Sequence, residues 1–315
     1  MKGSGKLFAL TAVTFAILVS CGGGEGGTGG TGVSIRAESL TEIPKGATSC
    51  ASGCFTFTGR TSSFAVDPSG NVWFYAKGLT EIPKGEMSCA SDCLAFSLSG
   101  DLIGDLIETV GADKFGNIWV AGLNSAGGGV VVKIPAGFTS CVSGCTTFTG
   151  AGISGFLRIT VDASGNVWVL NNPGPGGISS VTEIPAGAAS CLAECITFAG
   201  AGISQPNGVA VDGSGNAWVS NFSSITEISK GAAADCSSGC TNFTGGGILS
   251  PNGIAVDGSG NVWVANQGSV TEIPAGSNSC PEVCRVFTLG VFTVPTQIAI
   301  DPSGNVWIAN APNPP

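Results

Sequence analysis

The sequence predicts an all-β fold, a six-bladed β-propeller of four-stranded blades, and three observations lead to this fold class. The first is composition: only 10% of the 315 residues are charged and 51 are glycine, which is typical of short strands joined by tight turns. The second is a pair of motifs that each occur six times. The third is the order of these motifs, because the chain begins and ends with complementary half-units.

The first motif is represented by the segment from Ala65 to Trp73, and it contains all six tryptophans of the chain. It predicts strand a, a tight turn at Asp-Pro-Ser-Gly and then strand b, since Asp can bond its own backbone and Gly tolerates positive φ. Strand b is apolar on both faces, which suits a blade packed between two others. The motif aspartates, spaced by 44 to 50 residues, are Asp67, Asp113, Asp162, Asp212, Asp257 and Asp301.

The second motif is Thr-Glu-Ile-Pro-x-Gly followed by Cys-x-x-x-Cys and an aromatic residue. It predicts strand c, a compact turn and strand d. Residues four apart are about 13 Å apart in a strand but about 6 Å apart in a helical turn, and only the second distance allows a disulfide. We therefore predict one disulfide per blade, with metal sites shared between blades and redox chemistry as alternatives. The predicted pairs are Cys50 with Cys54, Cys89 with Cys93, Cys141 with Cys145, Cys191 with Cys195, Cys236 with Cys240 and Cys280 with Cys284.

The order of the motifs predicts how the ring closes. Strands c and d come first, at about residues 37 to 58, and strands a and b come last, at about residues 297 to 310. Pairing these half-units would complete a sixth blade and hide edge strands that invite aggregation. The propeller domain is therefore expected to span residues 37–315. A solenoid is the rival architecture, but it would need capping units rather than complementary halves.

The N-terminal segment predicts export. Lys2 and Lys6 precede an apolar run, and residues 1–20 have the pattern of a secretory signal peptide. The four residues that end in Cys21 resemble the lipobox of bacterial lipoproteins, which implies lipidation of that cysteine; an ordinary signal peptide is the alternative. Residues 21–36 are a glycine-rich tether. We expect a protein of the bacterial cell envelope, anchored extracytoplasmically to the outer membrane or cell surface.

The repeated Val-Asp-x-x-Gly-Asn-Val-Trp-Val pattern resembles the NHL repeat and, more distantly, the streptogramin B lyase and gluconolactonase-like propellers. The resemblance covers about residues 37 to 310 and implies a fold rather than a function. Streptogramin lyases rely on histidine, and this chain has none. Gluconolactonases bind a divalent metal through Glu, Asn and Asp, for which Glu108 with Asn207 or Asn252 would be the only candidates, without an evident Asp.

The resemblance implies a ligand site on the face that carries the loops from strand d to strand a and from strand b to strand c, around the central mouth of the predicted ring. A ring of amides and charges could hold a polar ligand or an ion there. The alternative is that the amides cap strand ends and bond loop backbone, as the asparagines at the ends of strand b could also do. The mouth residues are Arg60, Glu108, Arg158, Asn207, Asn252 and Gln297.

These observations favour a binding or scaffold module for a protein or a small polar ligand. The absence of histidine excludes a Ser-His-Asp triad and a histidine base, and we expect no cofactor, no metal and no catalytic residue. The net charge of -9 argues against nucleic acid as a partner. We expect a monomer that meets the membrane through its lipid. The alternative function is a metal-dependent lactonase-type hydrolase, or a lyase that works without histidine, in the central mouth.

Overall fold

The computed structural model describes residues 37–42, 55–61, 63–75, 78–84, 94–96, 106–141, 143–174, 176–280, 282–288, 294–300 and 304–311. The predicted signal peptide, Cys21 and the tether lie outside these residues. So do two of the predicted disulfides, that of Cys50 with Cys54 and that of Cys89 with Cys93. All regular elements in the described part are β-strands. That part contains no helix that is long and apolar enough to span a membrane.

Twenty of the described strands form five antiparallel sheets of four consecutive strands, numbered 1 to 5 along the chain. Sheet 1 comprises β3 (Phe64–Val66), β4 (Val72–Tyr75), β5 (Leu79–Ile82) and β6 (Leu94–Phe96). Sheet 2 comprises β7 (Leu106–Ala112), β8 (Ile118–Leu123), β9 (Gly129–Ile134) and β10 (Thr146–Phe148). Sheet 3 comprises β11 (Phe156–Val161), β12 (Val167–Asn172), β13 (Ser180–Ile184) and β14 (Ile196–Phe198).

Sheets 4 and 5 repeat this arrangement. Sheet 4 comprises β15 (Gly208–Val211), β16 (Ala217–Ser220), β17 (Ile225–Ile228) and β18 (Cys240–Phe243). Sheet 5 comprises β19 (Ile254–Val256), β20 (Val262–Asn266), β21 (Ser269–Ile273) and β22 (Arg285–Phe287). Within each sheet the four strands are strands a to d of the repeat, in that order.

Two further sheets have two strands each. The N-terminal pair is β1 (Ala37–Glu42) with β2 (Phe55–Thr61), and the C-terminal pair is β23 (Val294–Ile300) with β24 (Val306–Ala311). By position in the repeat, β1 and β2 are strands c and d, whereas β23 and β24 are strands a and b. No ladder between β24 and β1 is present among the described residues, so closure into a sixth blade stays a prediction.

Successive sheets pack face to face, and their first strands lie side by side, β3 against β7, β7 against β11 and onward to β23. The hydrophobic core is divided among the spaces between sheets. In one space, Trp119 and Ala121 of β8 meet Val167 and Val169 of β12. The intervening Val120 of β8 instead packs toward sheet 1. Strand b is therefore apolar on both faces because each face covers a different neighbour.

A hydrogen-bonded network holds the turn between strands a and b, and sheet 4 shows its form. Asp212 Oδ1 accepts from the backbone N–H of Asn216, and its Oδ2 accepts from Asn216 Nδ2 and Trp218 Nε1. Asn216 Oδ1 in turn accepts from the backbone N–H of Lys230, just after strand c. Gly215 completes the turn with φ +89°. In sheets 1 to 5 the motif asparagine therefore links three strands of its sheet. The same network is present at Asp67, Asp113, Asp162 and Asp257.

The cysteine turns are closed by local disulfides in the four pairs that the structure describes. Their Cα atoms lie 4.7 to 5.4 Å apart, as a helical turn and not a strand requires. The prediction of local disulfides is confirmed for these pairs. Cys191 packs in the core between sheets 2 and 3, so the bridge also fills space beside the preceding sheet. The bonded pairs are Cys141 with Cys145, Cys191 with Cys195, Cys236 with Cys240 and Cys280 with Cys284.

Candidate binding surfaces

The predicted mouth residues separate into two groups. Glu108, at a bulge in β7, and Arg158, in β11, interact electrostatically across neighbouring first strands. Desolvation lowers the pKa of the Arg158 guanidinium, although part of that side chain reaches solvent, and the Glu108 carboxylate acts in the opposite direction. The structure thus brings two of the six predicted mouth residues together. Gln297 is exposed on β23, and Arg60 lies in β2, where only the backbone is described.

The two mouth asparagines form bonds to the next sheet. Asn207 Nδ2 donates to the carbonyl oxygen of Pro251 at 3.2 Å, and Asn252 Nδ2 donates to that of Pro295 at 3.1 Å. Each amide thus connects the start of one first strand to the start of the following one. The structure supplies a backbone-bonding role for both side chains, which was the alternative that the sequence left open.

The asparagines at the ends of strand b are internal as well. Asn221 and Asn266 are buried, and each donates through Nδ2 to a threonine of strand c, Thr226 or Thr271. Their Oδ1 atoms accept from the backbone N–H of Ser204 and Leu249. Asn171 donates to strand c in the same way, while its buried Oδ1 has no protein partner. These amides stabilise the sheets and do not line an open mouth.

A different concave surface lies on the opposite face, which we call the turn face because it carries the turns between strands a and b and the cysteine turns. An opening on this face, cleft 1/2, lies between sheets 1 and 2 and has a volume of about 420 Å³. This volume falls in the range of small-molecule pockets. Its lining includes Asp67, Trp73, Glu81, Lys114, Phe115, Ala136 and Phe138.

The carboxylates of cleft 1/2 come from one sheet. Glu81 lies opposite Trp73 in the β4–β5 ladder, and Asp67 accepts the indole N–H of that tryptophan. Burial raises the pKa of Glu81, and the negative charge of Asp67 raises it further. The two acids therefore form a partly desolvated anionic wall. The sequence alone does not reveal that these acids border a cleft, because the opposite wall belongs to the neighbouring sheet.

The opposite wall of cleft 1/2 carries two aromatic rings. Phe115, in the turn after β7, is 62% exposed, and Phe138, after β9, is 40% exposed. At the corresponding positions sheet 5 has Ser259 and Ser277. Exposed apolar side chains grouped together can mark binding surfaces, and ligand pockets combine aromatic side chains with a few polar groups. The signal in the sequence was the departure of sheet 2 from the repeat, where Phe115 replaces the usual serine.

Neither a comparison of the sequence with protein-family models nor one with curated protein sequences gives a match. Solved structures do match in fold. The chain is similar to a Kuenenia stuttgartiensis hydrazine synthase chain, with TM-score 0.66, 11% identity, and coverage of 88% of this chain and 91% of that one. The chain has a β-propeller fold.

Two further similarities support the same fold. PorZ, a bacterial surface component of the type-IX secretion system of Porphyromonas gingivalis, matches with TM-score 0.62 and 16% identity over 94% of this chain and 44% of PorZ. YCF48, solved bound to a D1 peptide, matches with TM-score 0.54 and 12% identity over 78% of this chain and 74% of that one. At these identities the likeness concerns the fold alone.

The described residues contain no group of three or more Cys, Asp or Glu side chains arranged to hold a metal ion. Asn207 and Asn252, which the gluconolactonase resemblance offered as ligands, use their amide nitrogens for backbone contacts. Glu108 interacts with Arg158. Cleft 1/2 instead brings together two carboxylates, two exposed aromatic rings and a concave space.

Proposed function

We propose that this protein is an extracytoplasmic binding module, whose propeller presents cleft 1/2 to a protein or small polar ligand. The observation that carries the proposal is the open cleft of about 420 Å³ with its carboxylate wall and exposed Phe115 and Phe138. The mouth supports the proposal indirectly. Most of its described polar side chains bond or interact within the propeller, which leaves them less available to a ligand than those of cleft 1/2. YCF48, which shares the fold, binds a peptide.

Hydroxyl-radical footprinting tests this proposal without knowledge of the ligand. The protein would be oxidised with and without envelope extract from the producing cells, and modification would be measured by mass spectrometry. Phe115 and Phe138 should be protected, whereas Phe222, which is 60% exposed in the loop between strands b and c of sheet 4, should not. Equal oxidation of all three rings under both conditions, or turnover of lactones by the purified protein, would contradict the proposal.

The proposal includes export and a lipid anchor at Cys21. Local disulfides persist in oxidising compartments outside the cytoplasm, and the four described pairs fit that environment. PorZ, similar in fold, is a bacterial surface component. Metabolic labelling with palmitate should mark the wild-type protein and not a Cys21→Ser variant. Labelling that survives this substitution would refute the anchor, and free thiols throughout the exported protein would refute the oxidising location.

The proposal also includes two disulfides whose turns lie outside the described residues, Cys50 with Cys54 and Cys89 with Cys93. They share the four-residue spacing of the pairs that are bonded in sheets 2 to 5. Non-reducing peptide mapping of the exported protein should find both bridges. Free thiols at either pair would limit the disulfide repeat to the other blades.

The proposal also includes six blades and closure through the termini. Trp307 of β24 is 58% exposed, while the equivalent Trp119 of sheet 2 is 1% exposed. In sheets 1 to 5 this tryptophan lies beside a strand c of its own sheet, and β24 has no such strand bonded to it in the described part. In sheets 2 to 5 the equivalent ring packs on the aromatic ring of strand d, so the exposed ring of Trp307 is the surface that β2 would cover once β1 pairs with β24. Pairing there would remove two sheet edges together.

A further inference from the structure

The five sheets differ at one position that faces the clefts. The residue of strand c opposite the motif tryptophan is Glu81 in sheet 1, Lys133 in sheet 2 and glutamate again in sheets 3 to 5. In sheets 1, 3 and 4 the glutamate interacts electrostatically with the motif aspartate of the same sheet, so the clefts beside these three sheets begin with paired negative charge. How that charge is balanced differs from cleft to cleft.

At three sheets, a cation from the chain itself either replaces this glutamate or lies near it. In sheet 5, Arg285 Nη1 lies 3.2 Å from Glu272 Oε2. In sheet 2, Lys133 replaces the glutamate and lies over the Trp119 ring, with 5.4 Å from Nζ to the ring centroid. In sheet 3, burial and Asp162 raise the pKa of Glu183, while Lys230 of the next sheet opposes the rise.

Lys230 shows how a lysine occupies such a cleft. It lines cleft 3/4, between sheets 3 and 4, together with Asp162, Trp168 and Glu183. Its aliphatic carbons pack over Gly215. The space left in cleft 3/4 is about 60 Å³. In cleft 3/4 a lysine side chain thus faces the Asp, Trp and Glu wall closely enough to oppose the rise in the pKa of Glu183.

Cleft 1/2 has the same wall and lacks the lysine. Ala136 is the structural equivalent of Lys230, because its backbone N–H donates to Asn117 Oδ1 as that of Lys230 donates to Asn216 Oδ1. Lys114 also lines the cleft; its Nζ lies over one side of the Phe115 ring, 5.2 Å from the centroid, and donates to the carbonyl of Ala163 in the neighbouring turn. The space of about 420 Å³ thus lies where an internal lysine is found in cleft 3/4.

We infer that cleft 1/2 binds a primary ammonium group on an alkyl stem, with Asp67 and Glu81 receiving the charge and Phe115 and Phe138 covering the stem. Ammonium groups and their methylenes bind well to aromatic surfaces. The chemistry fits the lysine side chain of a protein or a free alkylamine. This inference rests on the proposed function, since it names the ligand class for the same cleft.

The chain also offers a matched comparison. The corresponding space between sheets 4 and 5, cleft 4/5, is bordered by the acids Asp212 and Glu227, and Ala275 stands at the position of Lys230, since its N–H donates to Asn261 Oδ1. It resembles cleft 1/2 in lacking the lysine. It differs in having Ser259 and Ser277 where cleft 1/2 has the two phenylalanines. A substitution in cleft 4/5 therefore reproduces the charge change without altering the proposed site.

The test measures binding of the acetylated, amidated peptide Gly-Lys-Gly to the full-length protein in neutral detergent, by saturation-transfer NMR at low ionic strength. The same peptide with norleucine in place of lysine is the uncharged control, and cadaverine is the small-amine probe. The lysine peptide should bind at least about tenfold more tightly than the norleucine peptide, as the loss of a charged hydrogen-bonding partner implies. Equal binding of the two peptides would overturn the inference.

Two pairs of variants locate the site. Ala136→Lys should abolish binding by supplying the internal lysine, and Ala275→Lys should leave it unchanged. Glu81→Gln should weaken binding about tenfold, and Glu227→Gln should not. Equal effects within either pair would overturn the inference, with far-UV circular dichroism as the folding check. If cadaverine matches the peptide, free amines suffice; if only the peptide binds, the source is protein. Footprint protection of Phe115 without lysine binding would refute the ligand class and leave the binding module intact.

Discussion

At the scale of single residues, the motif aspartate has more partners than its place in a turn suggests. Asp212 receives four hydrogen bonds, two from backbone N–H groups and two from the side chains of Asn216 and Trp218. Desolvation opposes its ionisation, but these bonds outweigh that effect and lower its pKa. The carboxylate therefore fixes the turn and also satisfies the indole N–H of a buried tryptophan.

Asp212→Ala should consequently destabilise the protein by about 2–4 kcal/mol, because the N–H groups of Trp218 and Asn216 lose their acceptor in a partly buried place. Urea unfolding monitored by tryptophan fluorescence measures the change. Asp235→Ala is the control: Asp235 is exposed and its carboxylate accepts hydrogen bonds from the neighbouring Ser237, so its loss should leave the free energy of unfolding nearly unchanged. Similar losses for the two variants would show that the network adds nothing beyond the local turn.

Glu227 should make the folded protein less stable as pH rises. Burial raises its pKa above 4.5, and Asp212 raises it further, so its ionisation is less favourable in the folded state than in the unfolded one. Its contribution to stability is therefore present below the unfolded pKa and is lost as pH rises through the folded pKa. Glu227→Gln should raise the melting temperature at neutral pH, with a gain that shrinks to nothing near about pH 4.

Glu194→Gln provides the matched control for this pH series. Backbone N–H groups of Ser190 and Ala189 lower the pKa of the exposed Glu194 carboxylate, so its contribution is present at neutral pH and lost on acidification. The glutamine variant should therefore never be more stable than wild type. A melting temperature of Glu227→Gln that stays below that of wild type at neutral pH would contradict the assigned direction.

At the scale of elements, the disulfide of each cysteine turn is an independent local cross-link. The bridge from Cys236 to Cys240 closes a five-residue loop beside the core between sheets 3 and 4. Replacing both by alanine should cost about 1–2 kcal/mol on the chain-entropy account. The equivalent change at Cys191 and Cys195 should cost a similar amount, and the two losses should add because the turns lie in different sheets. Urea unfolding of both variants and of their combination tests this; a strongly non-additive result would indicate coupling between turns.

The strands were predictable because each repeats a local pattern: alternating apolar residues, a turn with Asp and Gly, and cysteines at a spacing that forbids extended chain. The roles of Asn207 and Asn252 were not predictable, since the carbonyls they bond belong to the next repeat and become neighbours only after folding. Cleft 1/2 was missed for the same reason. Ala136 is unremarkable in sequence and matters only because it faces Glu81 of another sheet.

At the scale of the whole molecule, the repeat fixes the register that closure would require. In sheets 1, 3, 4 and 5 the motif tryptophan lies opposite the glutamate of strand c, as Trp263 does opposite Glu272. Applied to the termini, this register sets Trp307 of β24 opposite Glu42 of β1. Two residues along each strand, Ala309 then faces Leu40, as Ala265 faces Val270 in sheet 5.

Cysteines at Ala309 and Leu40 should therefore form a disulfide in the exported protein, because directly opposed residues of an antiparallel pair have Cα atoms about 4.5–5.5 Å apart, within the range for such a bridge. Peptide mapping under non-reducing conditions would detect the linked segments. The control combines Ala309→Cys with Thr41→Cys, which shifts the register by one residue and turns the second thiol to the other face. Absence of the first bridge, or equal yields for both combinations, would show that the termini do not pair in this register and that the ring is not closed by β24 and β1.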